Sequence, residues 1–386
     1  MKLPITNKTG IEKILASTAF YLLLSLVSLA QKEARFISLN EAIETVVSRN
    51  NAVQSAKIEE AIAQEKHKQT DAAFLPQVNF SFAALTTNNP LNVFGFKLQQ
   101  RNVTMNDFEP KTLNDPSRAV DFTTKIEVQQ PLLNLDAVYM KKGALAQLES
   151  HRFKTFRTKE FLTLETQKAY FQLQLAHEAI TVLEEALATA RSVYEFTNNR
   201  VAQGLIQRSD LLNVEVQVLG IESNLNEARS NLRNASDYLA VLMNKPTGEV
   251  YQTEQMKQAD SPGSDIQNLP QNRSDFLALE KAMNATSLME KANKMKLMPR
   301  LNAFGSYQWN DKALTGFGAD SYIAGLQLTW NLFDGNNTKR QAAAFRLERQ
   351  KLDLQLRTMH QENQMMLDKA NRDLADSEFK IKKQKA

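Results

Sequence analysis

The sequence predicts an α+β membrane protein in which short strands supply part of a β-barrel shared between copies and long helices extend it, the whole arising from an internal duplication. Three observations predict this. Two stretches repeat one design, a pair of alternating strands followed by a long polar helix. The amino terminus has the makings of an export signal. After Ala30 no apolar stretch is long enough to cross a bilayer as a helix, so any entry into a membrane must use strands.

In the repeat, the first copy reads Leu75-Pro76-Gln77-Val78-Asn79-Phe80 and then Val128-Gln129-Gln130-Pro131-Leu132-Leu133-Asn134. The second reads Met298-Pro299-Arg300-Leu301-Asn302-Ala303 and then Leu328-Thr329-Trp330-Asn331-Leu332-Phe333-Asp334. Self-similarity on this scale means one structural unit used twice.

At the amino terminus, Lys2, Lys8 and Lys13 precede an apolar run from Ile14 to Leu29, and Ser28-Leu29-Ala30 has the small residues that signal peptidase needs. Cleavage after Ala30 is the expectation, an uncleaved anchor the competing reading. With no Cys in the chain, neither disulfides nor a lipid-modified Cys can form. A formal charge of +4 over 386 residues is small, and the charges intermingle along helices, which gives nucleic-acid binding no support.

Each strand alternates. Val78, Phe80, Phe82 and Ala84 oppose Asn79, Ser81 and Ala83; Phe122, Ile126 and Val128 oppose Thr123, Lys125, Glu127 and Gln129. Leu301, Ala303, Tyr307 and Trp309 oppose Asn302, Ser306 and Gln308; Tyr322, Ala324, Leu326, Leu328 and Trp330 oppose Gln327, Thr329 and Asn331. Period-two runs of about ten residues with aromatics at their ends are the mark of an outer-membrane strand, and Tyr307, Trp309, Tyr322 and Trp330 are the candidate aromatic girdle. Any one of these patterns fits a half-buried soluble strand equally well. Four together, with an export signal and no soluble sheet domain to receive them, point to the membrane. Four strands cannot close a cylinder that needs roughly eight, and open edges in lipid cost several kcal/mol per unpaired group. The strands must come from several copies.

The loop between the first strand pair exceeds that of the second by about 23 residues, and long loops of such barrels face outside the cell. From about Ala137 to Arg200 there is no proline, which allows a helix of roughly 60 residues, on the order of 90 Å. Ala169, Leu173, Ala176, Ile180, Leu183, Leu187, Ala190 and Tyr194 recur in steps of four and three; after Gly204 the pattern resumes with Leu211, Val214, Val218, Ile221, Leu225, Ala228, Leu232, Ala235, Leu239 and Leu242. That period specifies an antiparallel coiled-coil hairpin. At its turn Gly204 suits a left-handed helix end, Ser209 a cap of the next helix and Asp210 its positive end. Leu205 and Ile206, apolar at an exposed tip, suggest a partner.

These pieces, in their order, resemble the TolC family of outer-membrane efflux proteins over nearly all of the mature chain. The matching residues are Ser38-Leu39-Asn40-Glu41-Ala42-Ile43 with Asn50-Asn51, Leu75-Pro76, Gln130-Pro131-Leu132-Leu133, the tip Arg200 to Asp210, Arg273-Ser274-Asp275-Phe276, and Asn331-Leu332-Phe333-Asp334-Gly335. The resemblance implies a homotrimer with a twelve-stranded barrel, four strands per chain, continued by a helical coiled-coil tube through the periplasm. It implies that the tip, Arg200, Val201, Gly204, Leu205, Ile206, Ser209 and Asp210, docks on a periplasmic adaptor linked to an inner-membrane pump or a type I secretion transporter. The chain then divides into a signal peptide (1–30), a periplasmic equatorial helix (31–75), a first strand pair (76–135), a first helical hairpin (136–245), a linker with a second equatorial helix (246–298), a second strand pair (299–335) and a second long helix (336–386).

With Pro131 placed on Asn331, Ala386 falls on Ala186, ahead of Gly204, so the resemblance is to a carboxy-terminally truncated member lacking the second tip. The competing readings are a soluble periplasmic adaptor, which would need a sandwich domain, and a non-functional truncated channel. Other chemistry is sparse. His67, His151, His177 and His360 are scattered, Met283, Met289, Met295 and Met298 suit helix packing better than a soft-metal path, and neither a phosphate loop nor a nucleophile motif occurs. The expectation is a passive duct rather than an enzyme, with no cofactor and no metal.

Overall fold

The computed structural model describes residues 35–254 and 268–385. The expected signal peptide and part of the linker lie outside the described residues. In chain order these form β1 (Arg35–Phe36), α1 (Leu39–Arg49), α2 (Asn51–Gln69), β2 (Gln77–Thr87), α3 (Pro90–Gln99), α4 (Pro110–Asn114), β3 (Ala119–Leu133), α5 (Leu135–Ala202), α6 (Arg208–Leu242), β4 (Tyr251–Gln252), α7 (Ser274–Met295), β5 (Arg300–Asp311), β6 (Ala319–Thr329) and α8 (Asn337–Lys385). Two compact units arise, one from Met1–Gln54 with Lys159–Ser261 and the other from Ser55–Thr158 with Pro262–Ala386. No helix among the described residues is long and apolar enough to cross a membrane.

In the first unit, Ser38 caps α1 by accepting the Glu41 N–H at 3.2 Å. Asn50 then breaks the helix with extended backbone. Its Oδ1 accepts the Ala52 N–H at 2.8 Å, which starts α2, while its Nδ2 donates to the Leu242 carbonyl at 2.8 Å. A core of Ile37, Val46, Val53, Leu162, Leu173, Leu239 and Met243 closes around the Tyr170 ring. The Tyr170 hydroxyl donates to the Ile37 carbonyl at 3.1 Å and accepts the Glu254 N–H at 3.0 Å, so the buried phenol is satisfied on both counts. The same core is roofed by β1 and β4, a parallel two-residue pair. Two residues are too few to carry an alternation, and the sequence offers no sign of this pairing.

The hairpin seam follows the sequence pattern. Every seam residue from Ala169 to Tyr194 and from Leu211 to Leu242 is buried or half-buried. Arg191 pairs with Glu222 at 2.7 Å and Arg229 with Glu184 at 2.9 Å across it, exposed ion pairs each worth under about 1 kcal/mol. Outside the seam lies a second row of exposed apolar side chains: Leu175 and Val182 on α5, and Leu212, Val216 and Leu219 on α6.

In the second unit, β2, β3, β5 and β6 form one antiparallel sheet in that order. Each repeat thus contributes one hairpin, and the two join through β3 and β5. The helix after each hairpin begins at once, α5 after β3 and α8 after β6. Asp334 sets the start of α8 by accepting the Thr338 backbone N–H at 2.8 Å together with the Thr338 hydroxyl, and the hydroxyl first, then the N–H, holds its carboxyl below the ordinary value. Elsewhere α7 packs through small contacts: Met289 lies against Gly143, where an added Cβ would meet its Cε at 3.0 Å. The Arg273-Ser274-Asp275-Phe276 stretch opens α7. Burial acts to raise the Asp275 carboxyl, but Arg273, bonded at 2.7 and 3.1 Å, and Arg157 hold it below the ordinary value. Phe276 stacks on His360 with ring centroids 3.8 Å apart.

Candidate functional site

The cross-strand register sorts the sheet into two faces. Val78 faces Val128, Phe80 faces Ile126 and Ala84 faces Phe122. Ile126 in turn faces Tyr307, and Thr124 faces Trp309. On the last pair Leu301 faces Leu328, Ala303 faces Leu326 and Tyr307 faces Tyr322. These residues share one side, because opposed residues point the same way and neighbours along a strand point oppositely. The other side carries Asn79 opposite Glu127, Ser81 opposite Lys125, Gln308 opposite Lys125 and Gln327 opposite Asn302. Lys125 and Glu127 form an ion pair there at 2.8 Å. A mainly apolar side, broken by Thr124 and, at the β5–β6 turn, by Asp311 and Asp320, and a mainly polar side, which also carries Leu85 and Ile323, therefore run across all four strands, and among the described residues β2 and β6 leave two unpaired edges.

Phe304 is the aromatic exception on the polar face. Its ring covers Gly325, where an added Cβ would meet the ring at 3.0 Å, so the aromatic substitutes for the side chain that glycine lacks.

Of the four candidate girdle residues, three gather at one end of the sheet. Tyr307 and Trp309 meet edge-on with centroids 4.7 Å apart, and Tyr322 lies across from Tyr307 and is exposed. Trp330 sits at the opposite end, one residue past β6, where its indole N–H donates to the Leu297 carbonyl at 2.9 Å. Alternation alone puts all four on strands and does not separate the two ends.

The long first loop is not open chain. It folds into α3, a 3₁₀ turn at Met105–Phe108 and α4, with Phe94 edge-on to Phe108 at 5.6 Å and Val93 buried. Lys97 pairs with Asp107, which also accepts from the Thr104 backbone N–H at 2.7 Å and its hydroxyl at 2.9 Å. The Lys97 ammonium, then the Thr104 N–H and hydroxyl, hold the Asp107 carboxyl down to about 2. This insert reaches the polar face through Gln100, whose amide donates to Asp121 Oδ1 at 2.8 Å; Asn310 donates to Asp121 Oδ2 at 2.8 Å. Nothing in the sequence flags that cluster, because its members lie far apart along the chain.

At the tip, α5 ends on a Schellman turn. Gly204 has φ +74°, its N–H donates to the Val201 carbonyl at 2.9 Å, and the Leu205 N–H donates to the Arg200 carbonyl at 2.9 Å. The Arg200 guanidinium lies 4.6 Å from the centroid of the Phe196 ring. Leu205 is 65% exposed, Ile206 and Val201 half-buried. The expected cap at Ser209 is corrected. Helix α6 begins at Arg208 with Gln207 as its cap residue, so Ser209 is already inside the first turn and its hydroxyl donates to Gln207 Oε1 at 3.4 Å. Asp210 does stand in the first turn, where a carboxylate meets the positive helix end.

Among the described residues no group of three or more His, Asp or Glu side chains is placed to hold a metal ion.

Known proteins match this arrangement. The family model of the outer membrane efflux protein covers residues 42–245, just over half of the chain. Solved structures share the fold at low identity. CusC, studied for its formation of a transmembrane channel, is 15% identical over 92% of this chain and 82% of its own, with a TM-score of 0.73. The CmeC outer membrane channel of Campylobacter jejuni is 15% identical over 83% of this chain and 67% of its own, with a TM-score of 0.67. The outer membrane protein VceC of Vibrio cholerae is 14% identical over 88% and 77%, again with a TM-score of 0.67. No curated protein matches the sequence. A two-faced sheet with free edges, a long helical hairpin and a family model spanning just over half of the residues lead to one conclusion: the chain belongs to the outer membrane efflux protein family.

Proposed function

We propose that three copies of this chain close a twelve-stranded barrel in the outer membrane and form the passive exit duct of a tripartite efflux pump or type I secretion system. The observation that carries this is the sheet with an apolar face, a polar face and two unpaired edges. Lipid against the apolar side and water against the polar side satisfy both, and pairing β2 of one copy with β6 of the next removes the edges that lipid would penalise by several kcal/mol per group. Spacing agrees. From the Trp309–Asp320 pair to Trp330 is about ten residues, roughly 34 Å along the strand and about 25 Å of height at the usual tilt, the depth of an outer-membrane apolar band.

The helical hairpin continues the duct into the periplasm, its outer row of Leu175, Val182, Leu212, Val216 and Leu219 meeting neighbouring copies. Arg200, Val201, Gly204, Leu205, Ile206, Ser209 and Asp210 dock on a periplasmic adaptor that joins the duct to an inner-membrane transporter. Export uses residues 1–30 as a cleaved signal peptide. A soluble adaptor would require a sandwich of two sheets, whereas the described residues form one four-stranded sheet and the β1–β4 pair. Cross-linking the protein in native membranes is the test. A product of three chains that conducts ions in a planar bilayer is expected; a product that stays monomeric, or recovery in the soluble periplasmic fraction, overturns the reading.

A further inference from the structure

The β5–β6 turn does something the alternation gives no hint of. Instead of projecting from the end of the sheet, residues 312–318 fold back over its apolar face. At Gly316, with φ +66°, an added Cβ would lie 2.9 Å from the Phe82 ring and 2.9 Å from Thr124 Oγ1, both apolar-face positions. Phe317 meets Trp309 edge-on with centroids 5.7 Å apart. Asp311 holds the fold-back, its Oδ1 accepting the Ala313 N–H at 3.0 Å and its Oδ2 the Thr315 hydroxyl at 3.3 Å. Thr124, a polar interruption in the apolar row, is left 1% exposed beneath it. On the outer surface of this strap Leu314 is 72% and Phe317 61% exposed.

We infer that the strap is a lipid-binding element, seated at the headgroup boundary of the outer leaflet with Leu314 and Phe317 directed into the acyl chains. The inference rests on the barrel reading and goes beyond it. The strap stands on the face that reading gives to lipid, at the end remote from the long helices and beside the cluster of Tyr307, Trp309 and Tyr322. Aromatics of this kind gather where hydrocarbon meets headgroups. Apolar side chains on a turn in water would be a liability, whereas here they extend the apolar rows of the sheet beyond Trp309. A second copy does not fit as the occupant, because copies join edge to edge in the plane of the sheet and the strap lies above it.

The chain has no Cys, so single cysteines report cleanly. Leu314→Cys, Phe317→Cys, Leu326→Cys in mid-sheet and Lys111→Cys on the insert are each labelled with a small fluorophore and reconstituted into vesicles containing lipids spin-labelled high or low on the acyl chain. The expected result is quenching at 314 and 317 by the high label, quenching at 326 by the low label, and none at 111. Quenching at 326 without quenching at 314 and 317 overturns the strap inference and leaves the barrel standing. Absence of quenching at 326 overturns the barrel reading and the strap with it. Gly316→Val, which cannot hold the fold-back, is expected to abolish quenching at 317 while sparing 326; retained quenching at 317 in that background overturns the role of the fold-back.

Discussion

The Arg300 guanidinium donates to the Asp136 carboxylate at 2.5 Å, tying the first residue of β5 to the first turn of α5. The pair crosses from one repeat to the other and sits where strands give way to helix. The Asp136 carboxylate is mostly buried but the Arg300 side chain stays 42% exposed and can be rehydrated, so Asp136→Ala is expected to destabilise the second unit by about 0.5–1.5 kcal/mol. A denaturant midpoint for the detergent-purified protein checks this, and an unchanged midpoint would show the pair to be incidental.

Leu326 and Gln327 are neighbours on β6 that point to opposite faces. If lipid covers the apolar side, Leu326→Arg near the middle of the sheet costs about 2–4 kcal/mol, whereas Gln327→Arg on the polar side costs little. The measurement is the yield of heat-resistant oligomer in the outer membrane. Equal yields from the two variants would contradict the facing of the sheet.

Asp107 should make the insert acid-labile. An unfolded aspartate titrates near about 4, and the folded one is held down to about 2. A depressed folded value stabilises fully above the unfolded pKa and ceases to do so as pH falls through the folded one. Protease resistance of residues 88–118 is therefore expected to hold at neutral pH and to fade between about pH 4 and 2. Asp107→Asn should remove that dependence; a wild-type transition confined to higher pH would assign it to other groups.

Gly204 has open space around it, so its substitution tests backbone alone. Gly204→Ala forces a side chain into the left-handed region at about 1–2 kcal/mol, seen as faster amide exchange at Leu205. Leu205→Asp leaves the turn intact and is expected to abolish efflux while the protein stays in the membrane. Retained efflux and retained adaptor cross-linking would remove the tip from the docking surface.

Much of this architecture is legible in the chain. Alternation placed the four strands of the sheet, and the seam from Ala169 to Leu242 was readable because helical periodicity is a local property repeated many times over. Gly204 was readable too, since only a few residues tolerate a left-handed helix end. The cap falls on Gln207 rather than Ser209, because helix boundaries shift by one or two residues with no cost that the sequence records.

What the sequence determines by itself is the inventory: two hairpin-plus-helix units, an apolar and a polar side to each strand, and a two-armed coil with a glycine turn. The tertiary structure alone decided how that inventory joins. It set β3 beside β5 and so left β2 and β6 as the edges, paired β1 with β4, and drew Asn50 to the Leu242 carbonyl and Asp136 to Arg300. It also laid the β5–β6 strap across Phe82 and Thr124. Periodicity arises from neighbours along the backbone and survives in the string of residues. Contacts between distant segments depend on loop closure and packing, which the order of residues does not reveal until the chain is folded.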